Sequence, residues 1–369
     1  MSTSRRVVSS SLVVALIAGI AACPTVPGSW SVLKTLEATF GCPRRPSRRW
    51  VSANGSGHTL AVWTRPASCY AERSRGAAWS LSKPVVLNAI GQFPVAAIGD
   101  DDTVAVAWVT VATEFTPAYV VATVRAPGGS FPAPAQVALG SGVYDLNLGV
   151  ANDGTATLVW SAPGGIFTAT RPPAGAWATA VQLSASGVGA GLPDLIVSPA
   201  GAALAVWQQG TAGNPTTIGT AYRAAGGDWE APRVLPSSGA ATWNPKPAID
   251  HAGNVAVGYL GGNAMVVATR AVSGDWSAPE VISPAGQAAY YPALAMDGSG
   301  DLIAAWQALD AGNYGSVRQR SRASGASWGL ATLRAERGRR LAVARLFRVT
   351  ARWRWCAGST TPPTRRVPR

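Results

Sequence analysis

The chain is predicted to be an all-β repeat protein built from four-stranded units of roughly 50 residues, a period typical of repeat arrays. Three observations carry this. Two aromatic series run through the 369 residues in phase, charged residues make up only 13%, and Gly (41) and Pro (27) punctuate short apolar stretches. That mixture suits strands and tight turns better than helices.

The first series closes an apolar strand at Trp63, Trp108, Trp160, Trp207, Tyr259 and Trp306, at intervals of 45 to 52 residues. The second follows a turn at Trp79, Phe131, Trp177, Trp229, Trp276 and Trp328, at intervals of 46 to 52. Each of the six complete repeats reads as strand a, a Gly/Asn/Asp turn, and strand b ending on the first aromatic. A variable connection, strand c, a second turn and strand d follow, so that PDLIVS from Pro193 and PALAMD from Pro292 are a strands. In strand b, Leu204 and Val206 alternate with Ala205 and Trp207, so both faces are apolar and each sheet must be covered on both sides. Radial stacking of sheets around an axis does this and predicts a β-propeller. The Trp of both series are expected to be structural. Upstream, GSWSVLKTLE from Gly28 matches an outer strand around Trp30. A seven-bladed ring is then the design, and a six-bladed ring the alternative.

Residues 1–22 read as an export signal, with Arg5 and Arg6 followed by an apolar run from Val7 to Ala22. The run is too short and too rich in serine for a good membrane span. Ile20-Ala21-Ala22-Cys23 resembles a bacterial lipobox, which implies lipidation of Cys23 and a linker over residues 23–29; ordinary secretion is the alternative. Membrane contact is expected only through that lipid. The repeats occupy residues 30–333. Residues 334–369 hold eleven Arg against one acid, Glu336, so most of the net charge of +13 belongs to this tail. The repeats carry no basic stripe, and nucleic acid is not an expected partner. Its stretch RGRRLAVARLFRVTARWRW shows none of the turns of the repeats, and the tail reads as an out-of-frame segment or a defective last blade. In an exported chain Cys42 and Cys69 are the natural disulfide pair once Cys23 carries lipid, with two unrelated buried thiols as the alternative.

The turns before strand d read RAAGGDWEAP to Pro232, RAVSGDWSAP to Pro279 and RASGASW to Trp328. They resemble degenerate Asp-box (BNR) repeats of sialidase-like propellers, over residues 30–333. In active members that resemblance implies an arginine cluster, an acid/base Asp and a Tyr-Glu nucleophile pair at the inner ends of several blades. No Arg-Ile-Pro segment stands near the start here. Glu72 falls on an expected c strand, Glu230 and Glu280 on d strands, and Glu114 in a long loop. The chain is therefore expected to be non-catalytic, with a divergent sialidase-type glycoside hydrolase or a purely structural envelope protein as alternatives. His58 and His251 fall in a-to-b turns without Cys or His at ligand spacing and read as solvated turn residues. Asp297 to Asp301 reads as a turn without the closing Glu of a calcium loop. No cofactor or metal is expected.

A binding face remains. The b-to-c and d-to-a connections emerge together at one end, and the b-to-c connections are longer in the second, fourth and sixth repeats. Those connections supply Glu114, Asn214, Asn313 and Tyr314, while d-to-a connections supply Phe93, Tyr144, Trp243, Asn244, Tyr290 and Tyr291. An aromatic ring covers the apolar face of a sugar while amides bond its hydroxyls. Trp243, Asn244, Tyr290, Tyr291, Asn313, Tyr314, Asn214 and Glu114 are accordingly the candidate site for a glycan or a surface protein. The alternative is that these rings fill the space between sheet ends.

Overall fold

The computed structural model describes residues 49–64, 68–77, 83–84, 91–114, 116–211, 214–236, 241–309 and 315–335. Cys23, Cys42, the strand expected around Trp30 and the Arg-rich tail beyond Ala335 lie outside the described residues. Six four-stranded sheets are formed within them. The first comprises β1 (Arg49–Ala53), β2 (Thr59–Thr64), β3 (Ser68–Arg73) and β4 (Lys83–Pro84). The second comprises β5 (Gly91–Ile98), β6 (Val104–Thr110), β7 (Tyr119–Arg125) and β8 (Ala135–Leu139). The third comprises β9 (Asn147–Val150), β10 (Ala156–Ala162), β11 (Gly165–Arg171) and β12 (Val181–Gln182). The fourth comprises β13 (Gly189–Val197), β14 (Ala203–Thr211), β15 (Asn214–Arg223) and β16 (Arg233–Val234). The fifth comprises β17 (Thr242–Ile249), β18 (Val255–Gly261), β19 (Ala264–Arg270) and β20 (Glu280–Val281). The sixth comprises β21 (Ala288–Met296), β22 (Leu302–Leu309), β23 (Gly315–Arg322) and β24 (Thr332–Ala335).

Within each sheet the strands pair in chain order, as an antiparallel meander. Each new sheet lays its first strand on the sheet before it: β5 on β1 and β2, β9 on β5 and β6, and β13 on β9, β10 and β11. β17 continues the stack on β13, β14 and β15, and β21 on β17, β18 and β19. Strand b explains why the stack forms. From β14, Leu204 and Val206 join Val255, Val257 and Tyr259 of the following sheet, whereas Ala203, Ala205 and Trp207 join Val159 and Ile166 of the preceding one. The period of two thus feeds two inter-sheet cores from a single strand.

Trp108, Trp160, Trp207, Tyr259 and Trp306 are all buried to within 2% of full burial. Trp207 lies across from Gly219 in β15, and a Cβ at Gly219 would collide with the indole. The indole N–H donates to Gln209 Oε1 at 2.9 Å, so this large ring is buried with its polar atom satisfied.

Where strand a turns into strand b, the sheets are joined by ion pairs. Arg73, Arg125, Arg171, Arg223, Arg270 and Arg322 each close a c strand, opposite the first residue of the neighbouring b strand. Arg125 forms a bidentate pair with Glu72 of the preceding sheet, Nη1 and Nη2 donating at 3.2 and 2.7 Å, and Arg270 donates from Nη2 alone to both Glu230 oxygens at 3.2 and 2.8 Å. Arg322 approaches Glu280 at 3.6 Å. The guanidinium groups also lie over the second aromatic series: Arg125 over Phe131 at 5.0 Å, Arg223 over Trp229 and Arg322 over Trp328 at 5.2 Å.

Several expectations are corrected. His58 is no solvated turn residue: its Nδ1 lies 3.0 Å from Asp102 of the second sheet and its Nε2 lies 3.4 Å from Glu72. The fourth b-to-c connection is no loop, because β14 and β15 remain paired out to Thr211 and Asn214. Strands a begin earlier than Pro193 and Pro292, at Gly189 and Ala288. The outer strands β12, β16 and β20 have only two residues and start after the second aromatic. Short edges of this kind limit pairing with other chains. No helix among the described residues is long and apolar enough to cross a membrane.

Candidate functional site

At the opposite end of the sheets, where the first strands begin, the backbone departs from regular pairing in a repeated way. The pairing of β5 with β6 skips between Gln92 and Val95, that of β13 with β14 between Gly191 and Asp194. The same skip occurs in β17 between Trp243 and Lys246, and in β21 between Tyr290 and Ala293. In each bulge two residues oppose one, and that one is the buried aromatic of strand b: Trp108, Trp207, Tyr259 or Trp306. The second bulge residue is always proline: Pro94, Pro193, Pro245 and Pro292, each buried and each 14 positions before the aromatic it opposes. Proline has no N–H to contribute to a ladder, so a position where the ladder is interrupted is one it can fill.

The residue before each proline is left-handed: Phe93 at φ 54°, Leu192 at 50°, Asn244 at 53° and Tyr291 at 50°. Asn tolerates this region, whereas Phe, Leu and Tyr are strained in it by about 1–3 kcal/mol. Phe93 stays half-buried against the core of the first sheets, whereas the bulges of the fourth, fifth and sixth sheets expose side chains. Trp243 is 36% exposed, Tyr290 39%, Tyr291 52% and Leu192 47%.

In the fifth sheet the bulge is braced from its neighbour. The Asn244 backbone N–H donates to Oε1 of Gln208 on β14 at 3.0 Å, and Gln208 is itself buried. Beside it Lys246 Nζ reaches Asp194 Oδ2 at 3.0 Å, joining β17 to β13 and cancelling the lysine charge. Tyr259, beneath the same bulge, has a buried hydroxyl with no hydrogen-bond partner, and burial pushes its pKa up to about 12. Arg223, far below at the turn end, is held by the hydroxyls of Thr170 at 2.6 Å and Thr157 at 2.9 Å. Burial draws its pKa down, against the opposing pull of Asp153.

Of the residues singled out in the sequence, Trp243, Asn244, Tyr290 and Tyr291 come together. They occupy matching positions on β17 and β21, first strands that pack side by side. Glu114 is exposed in the connection between β6 and β7, on a different sheet. Asn214 is the first residue of β15, and its backbone pairs with Thr211. Asn313 and Tyr314 lie outside the described residues, as does Cys42; Cys69 lies in β3 opposite Trp63. Glu72, Glu230 and Glu280 sit at the turn end in ion pairs with arginines, away from the exposed rings. Gln208, Lys246 and the strained prolyl bulges escaped the sequence reading. The 14-residue interval from Pro to aromatic was the signal that could have found the bulges.

No protein-family model matches the chain, and no curated protein does. Solved structures of similar course include the α-L-arabinofuranosidase Arb93A from Fusarium graminearum, 14% identical, with 78% of this chain and 97% of that one covered and a TM-score of 0.47. The BP39L lectin from Burkholderia pseudomallei is 13% identical over 79% of this chain and 99% of its own, with a TM-score of 0.40. The intramolecular trans-sialidase from Ruminococcus gnavus is 9% identical over 76% and 94%, with a TM-score of 0.45.

Proposed function

We propose that this chain is an exported, non-catalytic β-propeller, seven-bladed by design, that binds a glycan at the end where its first strands begin. The observation that carries the reading is the exposure of Trp243, Tyr290 and Tyr291 beside Asn244 on two neighbouring bulges. Buried rings would fill the space between sheet ends; these face solvent, with an amide next to them. Apolar ring faces and hydroxyl-bonding amides are the groups a sugar uses. Attachment to the cell envelope through lipid on Cys23 belongs to the same proposal. The hydrolase alternative requires carboxylates free to act near these rings. Three of the four described glutamates are engaged with arginine at the other end.

The test is retention of the purified protein on a glycan array, followed by the same measurement with Trp243→Ala. Retention by the parent and its loss in the variant, with unchanged thermal unfolding, is the expected outcome. Failure to bind any arrayed glycan, or equal retention by the variant, overturns the reading. Hydrolysis of a bound glycan overturns its non-catalytic part.

A further inference from the structure

We infer that the adjacent bulges of the fifth and sixth sheets form one continuous site for an uncharged oligosaccharide of at least two sugar rings. This rests on the glycan reading and specifies its ligand. Trp243 and Tyr290 have the same register: each pairs with the residue just after the buried aromatic, Leu260 in one case and Gln307 in the other. Asn244 and Tyr291 follow as left-handed residues of nearly equal φ. The two sheets therefore offer the same platform twice. β17 and β21 approach within 8 Å between Cα atoms, so the two platforms stand side by side within the reach of a short sugar chain.

The extent of the site is set by its neighbour. The equivalent bulge of the fourth sheet carries Gly191 and Leu192, which supply neither a ring nor a hydrogen-bonding side chain, so the platform ends between the fourth and fifth sheets. Its charge preference is set by the ion pair beside it. Lys246 is committed to Asp194 at 3.0 Å, and the arginines that close the c strands stand at the far end of the sheets. An anionic sugar on the β17 bulge would have to break that pair to use the Lys246 charge, and the other arginines of the sixth sheet, Arg318 and Arg320, stand on its third strand β23, separated from β21 by β22.

Calorimetric titration of the full chain tests this with three neutral series, namely glucose, cellobiose and cellotetraose with the matching mannose and xylose oligomers, and with lactose against 3′-sialyllactose. In the series that binds, affinity is expected to rise about tenfold or more from monosaccharide to tetrasaccharide. Trp243→Ala and Tyr290→Ala should each weaken the tetrasaccharide by about tenfold, while Trp243→Phe retains most of the binding and Leu192→Ala all of it. Sialylation of lactose should give no gain. A monosaccharide bound as tightly as its tetramer, a preference for the sialylated sugar, or insensitivity to Tyr290→Ala overturns this inference and leaves the glycan reading standing. Absence of binding to every sugar overturns the glycan reading and this inference together.

Discussion

The two ends of the same sheets are built on opposite plans. At the turn end every c strand closes on an arginine, and three of these arginines, Arg125, Arg270 and Arg322, pair with a glutamate from the sheet before, while Arg223 is held by threonine hydroxyls. At the other end the first strands of four sheets are bulged, four non-glycine residues are left-handed, and the exposed side chains differ from sheet to sheet. Repetition with uniform chemistry is what packing demands. Repetition of a strained backbone with varied chemistry is what a binding surface uses, since strain persists only where surrounding structure imposes it. Here the imposing parts are the buried proline, the buried aromatic opposite it and, in the fifth sheet, Gln208.

The comparison can be broken most forcefully between the two ends, in the shared core. Trp207→Ala removes a fully buried ring and its hydrogen bond to Gln209, and should cost about 3–5 kcal/mol of stability in denaturant unfolding. A loss no larger than that of a surface Ser→Ala control would mean the stack does not depend on this aromatic series. At the turn end, Glu72→Ala strands Arg125, which is 7% exposed, and should cost about 3 kcal/mol. Replacing both partners with apolar residues should cost less than the single change, and a larger loss in the double variant would refute the account of the pair.

Beneath the fifth bulge, Tyr259→Phe removes an unpartnered buried hydroxyl and should raise stability by about 1 kcal/mol. The effect has a pH signature. Unfolded tyrosine ionises near 10.0, whereas burial holds Tyr259 protonated to about 12. The unfolded state therefore releases its proton first, and the parent loses stability as pH rises through that window. The Phe variant lacks this contribution, so its advantage should widen there in thermal unfolding measured from pH 9 to 11.5. At the bulge itself, Tyr291→Gly relieves a left-handed residue and should raise stability by up to about 1 kcal/mol while weakening sugar binding. A variant that lost stability and kept binding would reverse the assignment of the two ends.

Much of this was legible in the sequence. The four-strand period, the six repeats and the burial of the first aromatic series from Trp108 to Trp306 follow from spacing and from strands apolar on both faces, because a pleated strand must cover whichever faces are apolar. The exposed pairs Trp243-Asn244 and Tyr290-Tyr291 were visible as aromatics in d-to-a connections. Sequence reasoning treated His58 as solvated and Asn214 as part of a loop because both judgements depend on what a neighbouring strand does. His58 is held by Asp102, 44 positions away, and Asn214 continues a hairpin with Thr211.

By itself, then, the sequence determined the repeat, the strand order and the large buried side chains, since these depend on periods of two and of roughly fifty residues carried in local composition. Only the tertiary structure decided which end of the sheets is locked and which is displayed. That decision depends on cross-sheet partners: Glu72 for Arg125, Gln208 for the Asn244 amide, Asp194 for Lys246. Such contacts join residues 36 to 53 positions apart, and stacking alone brings them within bonding distance.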